Sequence, residues 1–187
     1  MKINLLSIPP KNFGRKACYA HGCRKFAFSA TSDYILERCR PALKKLPENF
    51  LTQKEALIIG MGNNFEEAEL ILELFPGVKK IHIVEWDQKN VENIVKYFKE
   101  NQKIVVHYAD AEEMFFLSNG QITLAYFNGV LDLHDECCAK QIIEEVIRVV
   151  EKEGKIVSSD LSSYVAHPKR ETLYSWEEVA RIFNPLS

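Results

Sequence analysis

The sequence predicts an α/β protein built on an open, mostly parallel sheet, and three observations carry that prediction. From about residue 55 onward, strand-length apolar runs alternate with helix-length amphipathic runs. Breakers punctuate the alternation at Phe75-Pro76-Gly77, Ser118-Asn119-Gly120 and Lys152-Glu153-Gly154. Successive apolar runs also end on residues able to hold a ligand: Gly60, Glu85, Asp110 and Asn128.

The strand candidates are residues 55–60, 79–86, 103–109, 121–127 and 154–160. Between them lie four helix candidates at 64–75, 88–101, a short 111–119 and 135–153. Ala68, Leu70, Ile71, Leu74 and Phe75 fall near helical spacing in the first; Ile142, Ile143, Val146, Ile147 and Val150 form one side of the last. Residues 1–50 differ in kind, being rich in proline, cysteine and basic side chains. They are expected to form an N-terminal cap, with one helix within 29–46, on a domain spanning 51–187. Ser175 followed three residues later by Glu178 has the spacing of a capping box, so a last helix should start near Ser175. No internal repeat or low-complexity tract is evident.

Composition narrows the function. A chain of 187 residues can bury one substantial core, and a formal charge of −2 gives no general attraction for nucleic acid or anionic membrane. Its apolar runs are too short to cross a bilayer, and Pro9-Pro10 interrupts the opening segment before it could act as a secretory signal. A cytoplasmic protein is therefore expected. Five cysteines at irregular spacing do not read as a disulfide framework. Cys18, His21, Cys23 and Cys39 supply zinc-type donors, but Cys-x2-His-x-Cys matches no usual structural site, and no metal is expected.

A strand that feeds a glycine turn and then a helix presents free backbone amides, and glycine lets a ligand approach them without a Cβ in the way. That is the functional reading of Gly60 and Gly62; a tight strand-to-helix turn without ligand is the plain alternative. Glu85 stands 23 residues past Gly62 at the end of the next strand, where a carboxylate in a doubly wound sheet can accept from both ribose hydroxyls of a nucleoside. Trp86 could then lie against a base. Alternatively Glu85 is a solvated acid, Asp87 a helix N-cap and Trp86 a core residue. Asp110 could accept from an exocyclic amine with the Ala111 amide facing a ring nitrogen, or simply cap the following helix. Asn128 and Gly129 reach the same rim or form a turn.

In order, "LIIGMGNN", "HIVEWD", "HYADAEEM", "ITLAYFNGVLDLHD" and "VIRVVEKEGKIVSSD" resemble the motifs of class I S-adenosylmethionine-dependent methyltransferases over residues 52–180. The resemblance implies a Rossmann-like doubly wound sheet of five core strands in the order 3-2-1-4-5. It implies S-adenosylmethionine as cofactor, with Gly60, Met61 and Gly62 along its methionine part, Glu85 on the ribose, Trp86, Asp110 and Ala111 around the adenine, and Asn128 near the sulfonium. The spacing of "GVKKIHIVEWD" is also similar to aminopropyltransferases, whose catalytic acids have no counterpart here.

The chain departs from the methyltransferase pattern at Ile58, where an acid is frequent, at Asn64, where the third glycine would stand, and at Thr123, where an aspartate is frequent. The antiparallel pair that usually completes the sheet is expected to be missing, which leaves an open edge and makes a homodimer the expected assembly. Methyl transfer requires a base only when the acceptor is protonated, and His134 is the candidate. Without an Asn/Asp-Pro-Pro-aromatic element, a Pro-Cys nucleophile or a basic aromatic track, a small-molecule acceptor is expected over nucleic acid. The competing readings are a catalytically inactive binding or regulatory protein on the same fold and a nicotinamide oxidoreductase. The latter is disfavoured by Phe65, which occupies the place of a third small residue.

Overall fold

The computed structural model describes residues 39–131, 136–158, 161 and 173–183. Six strands form one sheet: β1 (Glu55–Ile59), β2 (Lys80–Glu85), β3 (Ile104–Tyr108), β4 (Ile122–Phe127), β5 (Val150–Val157) and β6 (Leu173–Ser175). Among the described residues, the helices α1 (Glu66–Leu74), α2 (Gln88–Tyr97), α3 (Glu136–Val149) and α4 (Trp176–Phe183) accompany them. The order across the sheet is β3-β2-β1-β4-β5-β6, with every pairing parallel except β5 with β6. The core order 3-2-1-4-5 is the expected one.

The central strands are continuous apolar runs because helices cover both faces. On one face Ala56, Ile58, Ile81, Ile83, Leu124 and Tyr126 pack with Ala68, Leu70 and Ile71 of α1 and Val91 and Ile94 of α2. On the other, Leu57, Ile59, Val84, Ala125 and Phe127 meet Ala139, Ile142, Ile143 and Val146 of α3 and Val179 of α4. Each fully buried leucine, isoleucine or valine among them contributes about 1.5–3 kcal/mol. Residues 39–43 are helical, and Cys39 and Leu43 join the first face.

Local chemistry sets the helix boundaries. Asp87 caps α2 by accepting from the Asn90 amide at 3.0 Å. At α4 the capping box is realised in both directions: the Glu178 amide donates to Ser175 Oγ at 3.2 Å and the Ser175 amide to Glu178 Oε2 at 2.8 Å. α1 has no side-chain cap, but Glu66, Glu67 and Glu69 in its first turn suit the positive end of the helix dipole.

Three features differ from the sequence reading. Segment 111–119 is a series of turns rather than a helix. It has no complete apolar face, since Phe115 is exposed, and its carbonyls at Met114 and Leu117 accept from the Arg148 guanidinium at 2.8 and 2.9 Å. The helix expected to run to residue 153 ends at Val149, and β5 begins at once with Val150 opposite Ile122. Register then slips before Leu124 pairs with Lys155, so Glu151 to Gly154 form a bulge. A Cβ on Gly154 would lie 2.6 Å from Val150 Cγ1 and 2.8 Å from the Glu151 carbonyl, so the bulge needs glycine. Finally, one antiparallel strand, β6, lies on β5 where the sequence suggested that the antiparallel pair was missing; it pairs through three residues only.

Candidate functional site

Parallel pairing brings the ends of β1 to β4 to one rim. The Gly60 amide makes a last bond to the Val84 carbonyl at 2.9 Å, and the Ala109 amide bonds the Glu85 carbonyl at 3.1 Å, so the three strand ends are tied together through β2.

The glycine turn uses its glycines in two different ways. Both have positive φ, +65° at Gly60 and +60° at Gly62, a region that L side chains enter at a cost. A Cβ on Gly60 would also stand 2.7 Å from Val130 Cγ2, whereas one on Gly62 would meet nothing nearer than Asn90 Nδ2 at 4.0 Å. Gly60 is therefore required by packing, and Gly62 leaves its flank open. Met61 between them turns its side chain into the core, so only its backbone is left to line the turn.

Glu85 is the hub of the rim. It is only 3 % exposed, and its carboxylate accepts three backbone N–H bonds at 3.0 Å: Gly62 to Oε2, and Trp86 and Asp87 to Oε1. Burial pushes the carboxyl upward, and the three amides pull it down without cancelling the effect. A carboxylate has about four lone-pair sites. Three are filled, so in this arrangement one site on Oε2 can meet a further donor, rather than a pair of hydroxyls.

The other expected residues take up the same edge. Trp86 is 38 % exposed, among the most exposed large apolar side chains described, so it is not a core residue. Asp110 Oδ1 accepts from the Glu112 amide at 3.0 Å, which closes a turn rather than capping a helix, and Ala111 is buried beside it. Asn128 is buried and its Nδ2 donates to Cys39 Sγ at 3.3 Å. His134 lies outside the described residues, as do Cys18, His21 and Cys23.

Two supporting networks escaped the sequence reading. Asn93 Nδ2 donates to Asn63 Oδ1 at 2.9 Å and Asn63 Nδ2 to Asn90 Oδ1 at 3.1 Å, which pins the glycine turn to α2. Arg148 and Glu145 on α3 clamp the β3–β4 connection: Arg148 binds the carbonyls named above and Asn119 Oδ1, while Glu145 Oε2 accepts from the Met114 amide at 2.7 Å. Single Asn or Arg residues in polar segments carry no sequence signal of such pairing.

Comparison with known proteins bears on the fold. The chain is similar to a complex of the Haloferax volcanii Trm112 methyltransferase activator with a methyltransferase: TM-score 0.59 at 10% identity, over 82% of this chain and 69% of that one. It is also similar to an S-adenosylmethionine-dependent methyltransferase from Mesorhizobium loti, with TM-score 0.50, 18% identity, 63% of this chain and 50% of that one. The fold is that of the class I S-adenosylmethionine-dependent methyltransferases. Haemonchus contortus phosphoethanolamine N-methyltransferase 1, with phosphoethanolamine and S-adenosylhomocysteine, matches at TM-score 0.52 and 17% identity over 73% of this chain and 28% of its own. The chain thus spans half or less of the length of two of these three. No family model and no curated protein matches it. Among the described residues, no helix is long and apolar enough to cross a membrane.

Proposed function

We propose that the chain binds S-adenosylmethionine at the rim formed by β1 to β4 and transfers its methyl group to a small-molecule acceptor. The observation that carries this reading is the direct contact between the Gly62 amide and the Glu85 carboxylate, which joins the glycine turn to the acid across the strand order. In this reading Gly60 shapes the turn, Gly62 admits the ligand, and Glu85 takes a ribose hydroxyl. Trp86, Asp110 and Ala111 flank the base, Asn128 closes the sulfonium side, and His134 is the proposed base. Bound S-adenosylmethionine supplies an electrophilic methyl carbon; the chain's own contribution is binding and alignment. Solved neighbours that hold S-adenosylhomocysteine support the choice of cofactor.

Calorimetry with S-adenosylmethionine and S-adenosylhomocysteine tests the reading. Binding is expected for the native chain, weakened by about 1–3 kcal/mol in Glu85→Ala. Absence of heat and of thermal shift at millimolar ligand overturns it. A second reading, a binding or regulatory protein without catalysis, is favoured by the three amides already held by Glu85 and by apolar Ile58 where an acid is frequent. Ligand binding with no cofactor turnover across an acceptor panel would select it. Homodimerisation remains our proposal for the assembly, to be checked by light scattering.

A further inference from the structure

The sheet face beneath α3 holds a polar chain that the proposed function does not use. His82 of β2 and His107 of β3 are both buried, at 5 % and 3 % exposure, within an otherwise apolar surface. His82 Nε2 lies 3.0 Å from Glu55 Oε2, and His82 Nδ1 lies 2.9 Å from His107 Nε2. Gln121 Nε2 donates to Glu55 Oε2 at 2.8 Å and Lys79 Nζ pairs with Oε1 at 3.1 Å. At the far end, the His107 ring stacks on Phe116 with centroids 4.2 Å apart and planes 17° from parallel.

These contacts admit one arrangement of protons. An ionised carboxylate only accepts, so His82 Nε2 carries hydrogen. Neutral His82 then has a bare Nδ1, which accepts from His107 Nε2–H. Neutral His107 is left with a bare Nδ1, and that atom is buried with no hydrogen-bond partner among the described residues. A further proton has a single destination. Either His107 takes it on Nδ1 directly, or His82 keeps the shared proton as an imidazolium and His107 becomes the Nδ1–H tautomer. Both routes place a donor on His107 Nδ1, where the described residues offer no acceptor.

The charged groups around the pair give no relief. Glu55 from β1 is held by His82, Gln121 and Lys79; Lys79 and Lys80 oppose a positive ring; Glu145 and Arg148 from α3 are engaged with the connection. Burial, then the charge of His82 and of Lys80, hold the His107 imidazole down to about 3. Burial also lowers His82, against the upward pull of Glu55.

We infer that Glu55, His82 and His107 form an acid-sensitive latch that holds the β3–β4 connection against the sheet. While the pair is neutral, His107 supports Phe116 and with it the segment that starts at Asp110 and Ala111. To accept a proton, His107 must leave the stack and find water, which releases the connection. The inference stands on this sheet face and survives if the methyltransferase reading fails.

Long-range nitrogen–proton spectra of histidine-labelled protein between pH 7.5 and 4.5, with amide hydrogen exchange on the same samples, test the latch. At pH 7 both rings should show the Nε2–H tautomer. Below about pH 6.5 protection of the Met114 and Leu117 amides should fall by up to about tenfold per pH unit for each proton taken up on opening. The Val91 and Phe98 amides on the opposite face should keep theirs over the same range. His107→Phe keeps a ring on Phe116 and should abolish the pH dependence of the connection. Should that variant not fold, Phe116→Leu should lower protection at all pH values with the tautomers unchanged. An Nδ1–H on His107 at pH 7, either ring titrating near 6.5 with protection unaltered, or acid sensitivity that persists in a folded variant overturns the latch.

Discussion

Replacing Gly60 and Gly62 by alanine, separately, asks whether the two glycines serve different ends. Both sit near φ +60°, so each alanine incurs about 1–2 kcal/mol for the left-handed backbone. Only at residue 60 does the new Cβ collide, 2.7 Å from Val130 Cγ2, and such overpacking adds about 1–3 kcal/mol. Gly60→Ala should therefore destabilise by about 2–5 kcal/mol and Gly62→Ala by about 1–2 kcal/mol. Because the colliding atom is a side-chain methyl, Val130→Ala should recover the steric part, giving a favourable coupling of about 1–3 kcal/mol in a double-mutant cycle with Gly60→Ala and none with Gly62→Ala. Urea unfolding at constant slope reads the six stabilities that the two cycles require. Equal losses at the two glycines, or no coupling with Val130, would refute the division of labour between a packing glycine and a ligand-facing one.

Two further expectations concern groups away from the rim. Arg148→Met keeps the aliphatic stem but leaves the Met114 and Leu117 carbonyls without their donor; with the guanidinium partly exposed, a loss of about 2–3 kcal/mol is expected in chemical denaturation, and a change under about 0.5 kcal/mol would show the clamp to be idle. Glu55 is raised by burial but lowered more by the hydrogen bonds from Gln121, His82 and Lys79, which hold it at about 2. The unfolded carboxyl titrates near 4.5, so the stabilisation from ionised Glu55 is complete above that value and is lost as pH falls towards 2. Glu55→Gln should accordingly destabilise at pH 7 and progressively less below pH 4.5, and a penalty independent of pH would contradict the network.

What the sequence disclosed follows from where the determining forces act. Continuous apolar strands, the breakers at Phe75–Gly77 and Ser118–Gly120 and the Ser175–Glu178 capping box are local patterns, and each stands where the structure has the expected boundary or element, whereas the breaker at Lys152–Gly154 lies inside β5. The bulge at Glu151–Gly154 hid because Val150 continues the helical spacing of Ile142, Ile143 and Val146; the constraint that ends the helix is the approach of Gly154 to Val150 and to the β4 backbone, which no local pattern records. The turns at 111–119 were read as a helix because the donor that replaces helical bonding, Arg148, arrives from 31 residues away. His82 and His107 interrupt apolar strands one face apart from Ile81, Ile83 and Val106, a break in alternation visible in the sequence. Only register brings them to 2.9 Å.

The rim itself was legible as a set of strand ends, but the occupancy of Glu85 was not. Sequence spacing places the acid across from the glycine turn without saying that the turn will donate to it. In the structure the Gly62 amide takes one lone pair of Oε2 and the Trp86 and Asp87 amides fill Oε1. A ribose diol brings two donors to a carboxylate that has one acceptor site open. Gripping both hydroxyls therefore requires the carboxylate to turn and at least one amide to be released, and the amide best placed to gain a new acceptor is that of Gly62, whose flank is open. Such an exchange replaces an internal hydrogen bond by an external one, so its net free energy is small. In the proposed reading, tight binding would then have to come from the remainder of the ligand, the base against Trp86 and the connection, and the order of that connection would itself be a determinant of affinity.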